Sequence, residues 1–94
     1  MDDLLLSKVR LAVIAELLGA QWVAFSAIAR AAQVTSGNLG AHLAKLVDAG
    51  YVDEEKTFVD RRPQSLYRLN ARGRDAFVSH VREMQALLAE KVES

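Results

Sequence analysis

Thr35-Ser36-Gly37-Asn38-Leu39-Gly40-Ala41-His42-Leu43-Ala44-Lys45-Leu46-Val47-Asp48-Ala49-Gly50 is the stretch on which the fold turns. Thr35 is a hydroxyl residue of the kind that caps a helix N-terminus by accepting a backbone N–H, and Gly50 supplies the left-handed residue that stops a helix. A helix is therefore predicted over residues 36–49. Leu39, Leu43, Leu46 and Val47 fall together at helical spacing and form the side that must be buried. Asn38, Ala41 and Lys45 lie on the opposite side, with His42 flanking them. Roughly 14 residues at 1.5 Å each make a rod of about 21 Å.

Upstream of this helix, Gln33-Val34 reads as a turn and Ser26 as the N-cap of a short alanine-rich helix over about residues 27–32. Residues 21–25 read as an extended connector, with Trp22 and Phe25 as core plugs. A further helix is predicted over about residues 4–18, ending at Gly19. Leu6, Val9, Val13 and Leu17 form one of its faces, and Leu4, Leu11, Ile14 and Leu18 another. A helix apolar almost all round needs cover on more than one side. Downstream, residues 51–57 and 64–69 carry β-branched and aromatic runs that predict a hairpin, with Phe58-Val59-Asp60-Arg61-Arg62-Pro63 as its loop. Asn70 then caps a last helix over about residues 71–92. The order is helix, helix, helix, strand, strand, helix: a mainly α chain with one small β-hairpin, forming a single domain over residues 1–94.

Two short helices joined by a tight turn follow the helix-turn-helix plan, and a rod of this size fits a major groove about 12 Å wide. On that reading Asn38 is the residue to read a base, because an amide pairs bidentately with adenine. Thr35 and Ser36, with the open N–H groups of the helix start, suit a phosphate. Lys45 reaches a phosphate further along, Ala41 offers a methyl contact, and His42 is either a donor to DNA or a structurally bonded histidine. Twelve Lys and Arg balance twelve Asp and Glu, but the balance is local. Residues 51–74 hold six basic against four acidic residues, a net of +2, while residues 75–94 hold two against four, a net of −2. Arg61 and Arg62 sit in the hairpin loop, where long cationic side chains reach a minor groove or clamp phosphates.

The chain resembles the winged helix-turn-helix transcriptional regulators of the MarR/ArsR type, and most of all their minimal single-domain members. The likeness spans about 68% of the chain, from Phe25 to about Leu88. It rests on Thr35 to Leu43, on the helix exit Leu46 with Ala49-Gly50-Tyr51-Val52, and on Arg61-Arg62-Pro63, Tyr67-Arg68-Leu69-Asn70 and Gly73-Arg74. The resemblance implies double-stranded DNA as partner, bound by a homodimer at an inverted-repeat operator, with the third helix in the major groove and the hairpin as wing. The implied groove positions are Ser36, Asn38, Gly40, Ala41, His42 and Lys45, and the implied wing positions Arg61 and Arg62. Gly40 and Ala41 depart from the family, which often carries a serine and a basic residue there. Metal-sensing members use cysteine or clustered histidine; with no cysteine and only His42 and His80, no metal and no cofactor is expected.

Phe77, Val81, Met84 and Leu88 repeat at four, three and four, a seam like that of a coiled coil. With Leu4, Leu11, Ile14 and Leu18 it is expected to form a homodimer interface. No nucleophile-base set, glycine-rich phosphate loop or metal cluster points to an enzyme. The longest apolar stretch, residues 11–20, is interrupted by Glu16 and too short to span a bilayer, and the acidic start is unlike a secretory signal, so a cytoplasmic location is expected. The alternative use of such a fold is as a protein-interaction module without DNA binding.

Overall fold

The computed structural model describes residues 2–93. A 3-10 turn, Asp3–Leu5, precedes α1 (Lys8–Leu17); β1 (Val23–Ala24), α2 (Phe25–Ala32), α3 (Ser36–Asp48), β2 (Val52–Val59), β3 (Arg62–Leu69) and α4 (Ala71–Glu93) follow. The winged helix-turn-helix arrangement is the one expected, and four of its boundaries depart from expectation for local reasons.

The first helix is broken. Asp2 accepts the Leu4 N–H at 3.0 Å and Ser7 accepts the Arg10 N–H at 3.2 Å, so two caps each start their own turn and the chain is extended at Ser7 where they break. Ser26 is not a cap: α2 begins two residues earlier than expected, at Phe25 after Ala24, with no side-chain cap. The connector is held straight because Val23 and Ala24 pair with Tyr67 and Leu66, adding a short third strand to give the order β1-β3-β2. The expected six-residue hairpin loop is instead a two-residue turn, Asp60-Arg61, with φ of 50° and 66°. Positive φ at both central residues is the twist that matches a tight hairpin, so the strands run on through Phe58, Val59, Arg62 and Pro63. Finally, Trp22 is half-buried rather than a core plug, with the Arg68 guanidinium 4.5 Å over its ring. Phe25 does pack on the core, its ring 6.3 Å from that of Tyr67.

The core gathers Leu5, Val13, Ile14 and Leu17 with Ile28, Leu39, Leu43, Leu46, Val52, Tyr67 and Leu69. Ile14 is 0% exposed, which corrects its expected place in a dimer seam: it is covered by its own chain. Leu4, Leu11 and Phe77 also pack against this core.

The helix exit of α3 locks the start of α4. Gly50, at φ 79°, lets the Gly50 and Tyr51 N–H groups return to the Val47 and Leu46 carbonyls at 2.9 and 3.0 Å. Asn70 ties this turn to α4: its Oδ1 accepts the Gly73 N–H at 2.9 Å while its Nδ2 donates to the Gly50 carbonyl at 2.8 Å and to Asp53 at 3.1 Å. The N-terminal half of α4 lies on the domain through Gly73, Ala76, Phe77 and His80. Every described residue from Gln85 onward is exposed, so the last turns stand clear of the domain.

Candidate nucleic-acid interface

Helix α3 is set by its buried leucines. Leu39, Leu43 and Leu46 are sunk in the core, which turns Ser36, Gly37, Asn38, Ala41, Ala44, Lys45 and Asp48 to solvent. Thr35 Oγ1 accepts the Asn38 N–H at 3.3 Å, and the Thr35 carbonyl accepts the Leu39 N–H at 2.9 Å. Thr35, Ser36, Asn38, Ala41 and Lys45 thus stand on one exposed surface, as their spacing predicts. Gly37, Ala44 and Asp48 share it and went unread, although steps of four, three and four around Ala41 and Ala44 would have found them. The centre of this face is small side chains, so a partner can approach the backbone closely.

Two of the expected positions sit on the flanks. Gly40 borders a shallow cleft of about 180 Å³ between α3 and the hairpin, together with Ala44, Val47, Asp48, Glu54 and Tyr67. His42 is half-buried, and its Nδ1 lies 3.0 Å from Arg10 Nη1, whose Nε donates to the Leu4 carbonyl. Arg10 has only protons to give, so Nδ1 accepts and the ring proton is assigned to Nε2. Burial, then the charges of Arg10 and Lys45, hold the imidazole below its ordinary pKa of 6.5. In the window below that value the unfolded chain binds a proton that the folded chain does not. Stability is therefore complete above the window and falls as pH drops through it. Urea unfolding at about pH 7.5 and about pH 5.5 is expected to show a larger acid loss for the wild type than for His42→Gln. Parallel loss in both proteins would contradict the Arg10–His42 arrangement.

The hairpin has two distinct faces. On the α3 side the register stacks Val52 with Leu69, Glu54 with Tyr67, Lys56 with Ser65 and Phe58 with Pro63. Val52, Tyr67 and Leu69 are buried, and the Tyr67 hydroxyl donates to Glu54 at 2.6 Å. Burial, reinforced by that bond, pushes the Tyr67 pKa up to about 12. On the other face Arg68 donates to Asp53 at 3.1 Å, and the bond from Asn70 with that from Arg68 holds the Asp53 carboxyl below its ordinary range. Arg68 is thus committed to the base of the hairpin, as is Arg72, 6.0 Å from the Tyr51 ring. Lys45, Lys56, Arg61 and Arg62 are exposed and, among the described residues, their side chains make no hydrogen bond or ion pair. Arg62 borders an open cleft of about 730 Å³ shared with Phe25 and Ser26 at the start of α2.

The profile described as the winged helix DNA-binding domain matches residues 9–88. The chain belongs to that family. This winged helix domain is 31% identical over 81 residues to an uncharacterized protein of Methanocaldococcus jannaschii, covering 86% of this chain and 88% of that one. Its fold matches a transcriptional regulator homologue from Pyrococcus horikoshii with a TM-score of 0.84 and 26% identity, covering 93% of this chain and 86% of the other. It also superposes on Bacillus subtilis PadR in complex with operator DNA, with a TM-score of 0.71, 14% identity and coverage of 80% and 48%. A zinc-responsive MarR family member, Lactococcus lactis ZitR, gives a TM-score of 0.67 at 16% identity, with coverage of 94% and 60%. The family is described as a DNA-binding domain, and its fold is shared with chains described as transcriptional regulators. Among the described residues no helix is long and apolar enough to cross a membrane.

Proposed function

We propose that this winged helix domain is a cytoplasmic, sequence-specific transcriptional regulator that binds double-stranded DNA as a homodimer. The observation that carries the reading is the uncovered polar face of α3 next to a hairpin whose tip cations are unpaired. Helix α3 enters the major groove, with Asn38 on a base edge, Ala41 close to the groove floor, Gly40 at the flank beside the wing, and Lys45 on a phosphate. Ser36 and its free N–H group, beside the Thr35 cap, take a second phosphate. His42 offers Nε2–H at the flank, and the wing sets Arg61 and Arg62 on the backbone or in the adjacent minor groove.

The dimer rests on α4. The apolar stripe that covers the domain through Phe77 continues along the same helix through Val81, Met84, Leu88 and Val92, with Leu87 at its edge, past the point where its own domain ends. Leu18 and Leu6 add exposed apolar surface on the N-terminal side. Leu4, Leu11 and Phe77 border the seam from the core side. Two-fold pairing along this stripe sets two α3 helices about 34 Å apart, the spacing of an inverted-repeat operator.

Fluorescence anisotropy with duplex DNA over a salt series tests the reading. Affinity is expected to fall steeply with salt, and Arg61→Ala with Arg62→Ala to flatten the log–log slope by roughly one per lost phosphate contact. Asn38→Ala is expected to leave the slope alone and to erase preference among sequences by about 1–3 kcal/mol. Binding insensitive to all three substitutions would place the interface elsewhere.

A further inference from the structure

The geometry points to Phe58 as an apolar wedge that inserts between base steps of the minor groove and bends the DNA bound by this domain, an inference that rests on the DNA-binding function proposed above. Phe58 is 72% exposed, near the far end of β2 from Val52, the one buried residue of that strand. Its cross-strand partner is Pro63, also exposed, so the α3-side face of the wing ends in two apolar rings. Pro and Phe are among the side chains that minor-groove proteins use to pry base steps apart.

The surroundings fit that partner rather than a protein surface. Along one face of β2, Glu54 sits against α3, bound to Tyr67, then Lys56 follows, then Phe58. Side chains on one face recur every second residue, so Phe58 stands roughly 14 Å further out along the strand than Glu54. The sequence from α3 outward is therefore a groove-reading helix, a cation, and an apolar tip. That matches a major groove, one phosphate ridge and a minor groove in order. Arg61 in the turn and Arg62 on the opposite face bracket the wedge with positive charge, which the minor groove's negative potential attracts. The two-residue turn, with both φ values positive, holds the tip in a single tight conformation.

The test uses a duplex selected by the protein from a random-sequence pool, labelled at its ends with a fluorescence donor and acceptor. Wild-type protein is expected to shorten the end-to-end distance. Phe58→Ala is expected to abolish that shortening and weaken binding by roughly five- to tenfold, with the salt slope unchanged because an apolar contact releases no counterion. Phe58→Leu, which keeps a wedge, is expected to restore the bend. A duplex that stays straight in the wild-type complex, or bends equally with Phe58→Ala, overturns the wedge while leaving the DNA-binding function standing. Failure of the wild type to bind any duplex overturns that function and the wedge with it.

Discussion

Gly73→Ala is expected to lower the unfolding free energy by about 2–4 kcal/mol, with a fall in Tm of roughly 10–30 °C for a domain of this size. A Cβ at position 73 meets the Tyr51 carbonyl oxygen at 2.2 Å and Leu69 Cδ1 at 2.7 Å. The leucine can turn aside, but the carbonyl belongs to the locked exit of α3 and accepts the Asn70 N–H at 3.2 Å. Relief therefore means lifting the first turn of α4, which also strains the Asn70 bonds to Gly73, Gly50 and Asp53. Overpacking against backbone costs about 1–3 kcal/mol and a lost cap about 1 kcal/mol more, a large share of a typical domain stability. Gly40→Ala is the control of opposite sign. Beyond its chain neighbours and its own helix backbone nothing lies within 4 Å of the new methyl group, and alanine stabilises a helix interior by about 0.5–1 kcal/mol over glycine. Denaturant unfolding at one fixed protein concentration compares the three proteins. Equal stability of Gly73→Ala and wild type would mean that α4 does not dock on the helix exit as described.

The pair Leu87→Glu and Leu88→Glu is expected to convert the protein to a monomer and to weaken operator binding by roughly 10²–10⁴. Leu87 and Leu88 are 43% and 59% exposed, on the part of α4 that stands clear of the domain. Charges there cost the single domain little, so the circular dichroism spectrum is expected to keep its helical content. In a paired α4 seam the carboxylates at position 88 face one another in apolar surroundings and those at position 87 crowd its edge, where unpaired charge is strongly disfavoured. Without the partner, the second half-site no longer binds as an intramolecular event, which is the source of the large affinity loss. Sedimentation of wild type and variant reads the first effect and anisotropy the second. A wild type that sediments as a 10.3 kDa monomer at micromolar concentration, or a variant that stays dimeric, would contradict the α4 seam.

How much of this was open to a reader of the sequence follows from which forces are local. Helix α3 was legible because its cap, its leucine spacing and its stop glycine all lie within 16 residues and agree. The role of Asn70 as a cap was legible for the same reason, but its bonds to Gly50 and Asp53 come from chain distant by 20 and 17 residues. The hairpin turn was missed because Asp60 and Arg61 carry positive φ without the glycine that usually marks it. That error hid the register and with it the shared face of Lys56 and Phe58. Strand β1 was read only as extended, since two residues gain their strand character from pairing with β3 alone. The break at Ser7 was missed because a serine within an apolar run reads equally as a helix interior or as a cap. Ile14 was given to a surface because α1 is apolar around its whole circumference, and periodicity then cannot choose which side is buried.

The central claim is that duplex DNA lies against the outward face of α3 and the tip of the wing. Mapping amide chemical shifts of the isotopically labelled 94-residue chain during titration with duplex DNA tests it most directly. The expected result is a cluster of perturbed amides at Ser36, Gly37, Asn38, Ala41 and Lys45 and a second at Arg61 and Arg62, with Leu17 and Ile28 unmoved. Perturbations confined to α4, or none at all at low salt, would contradict it.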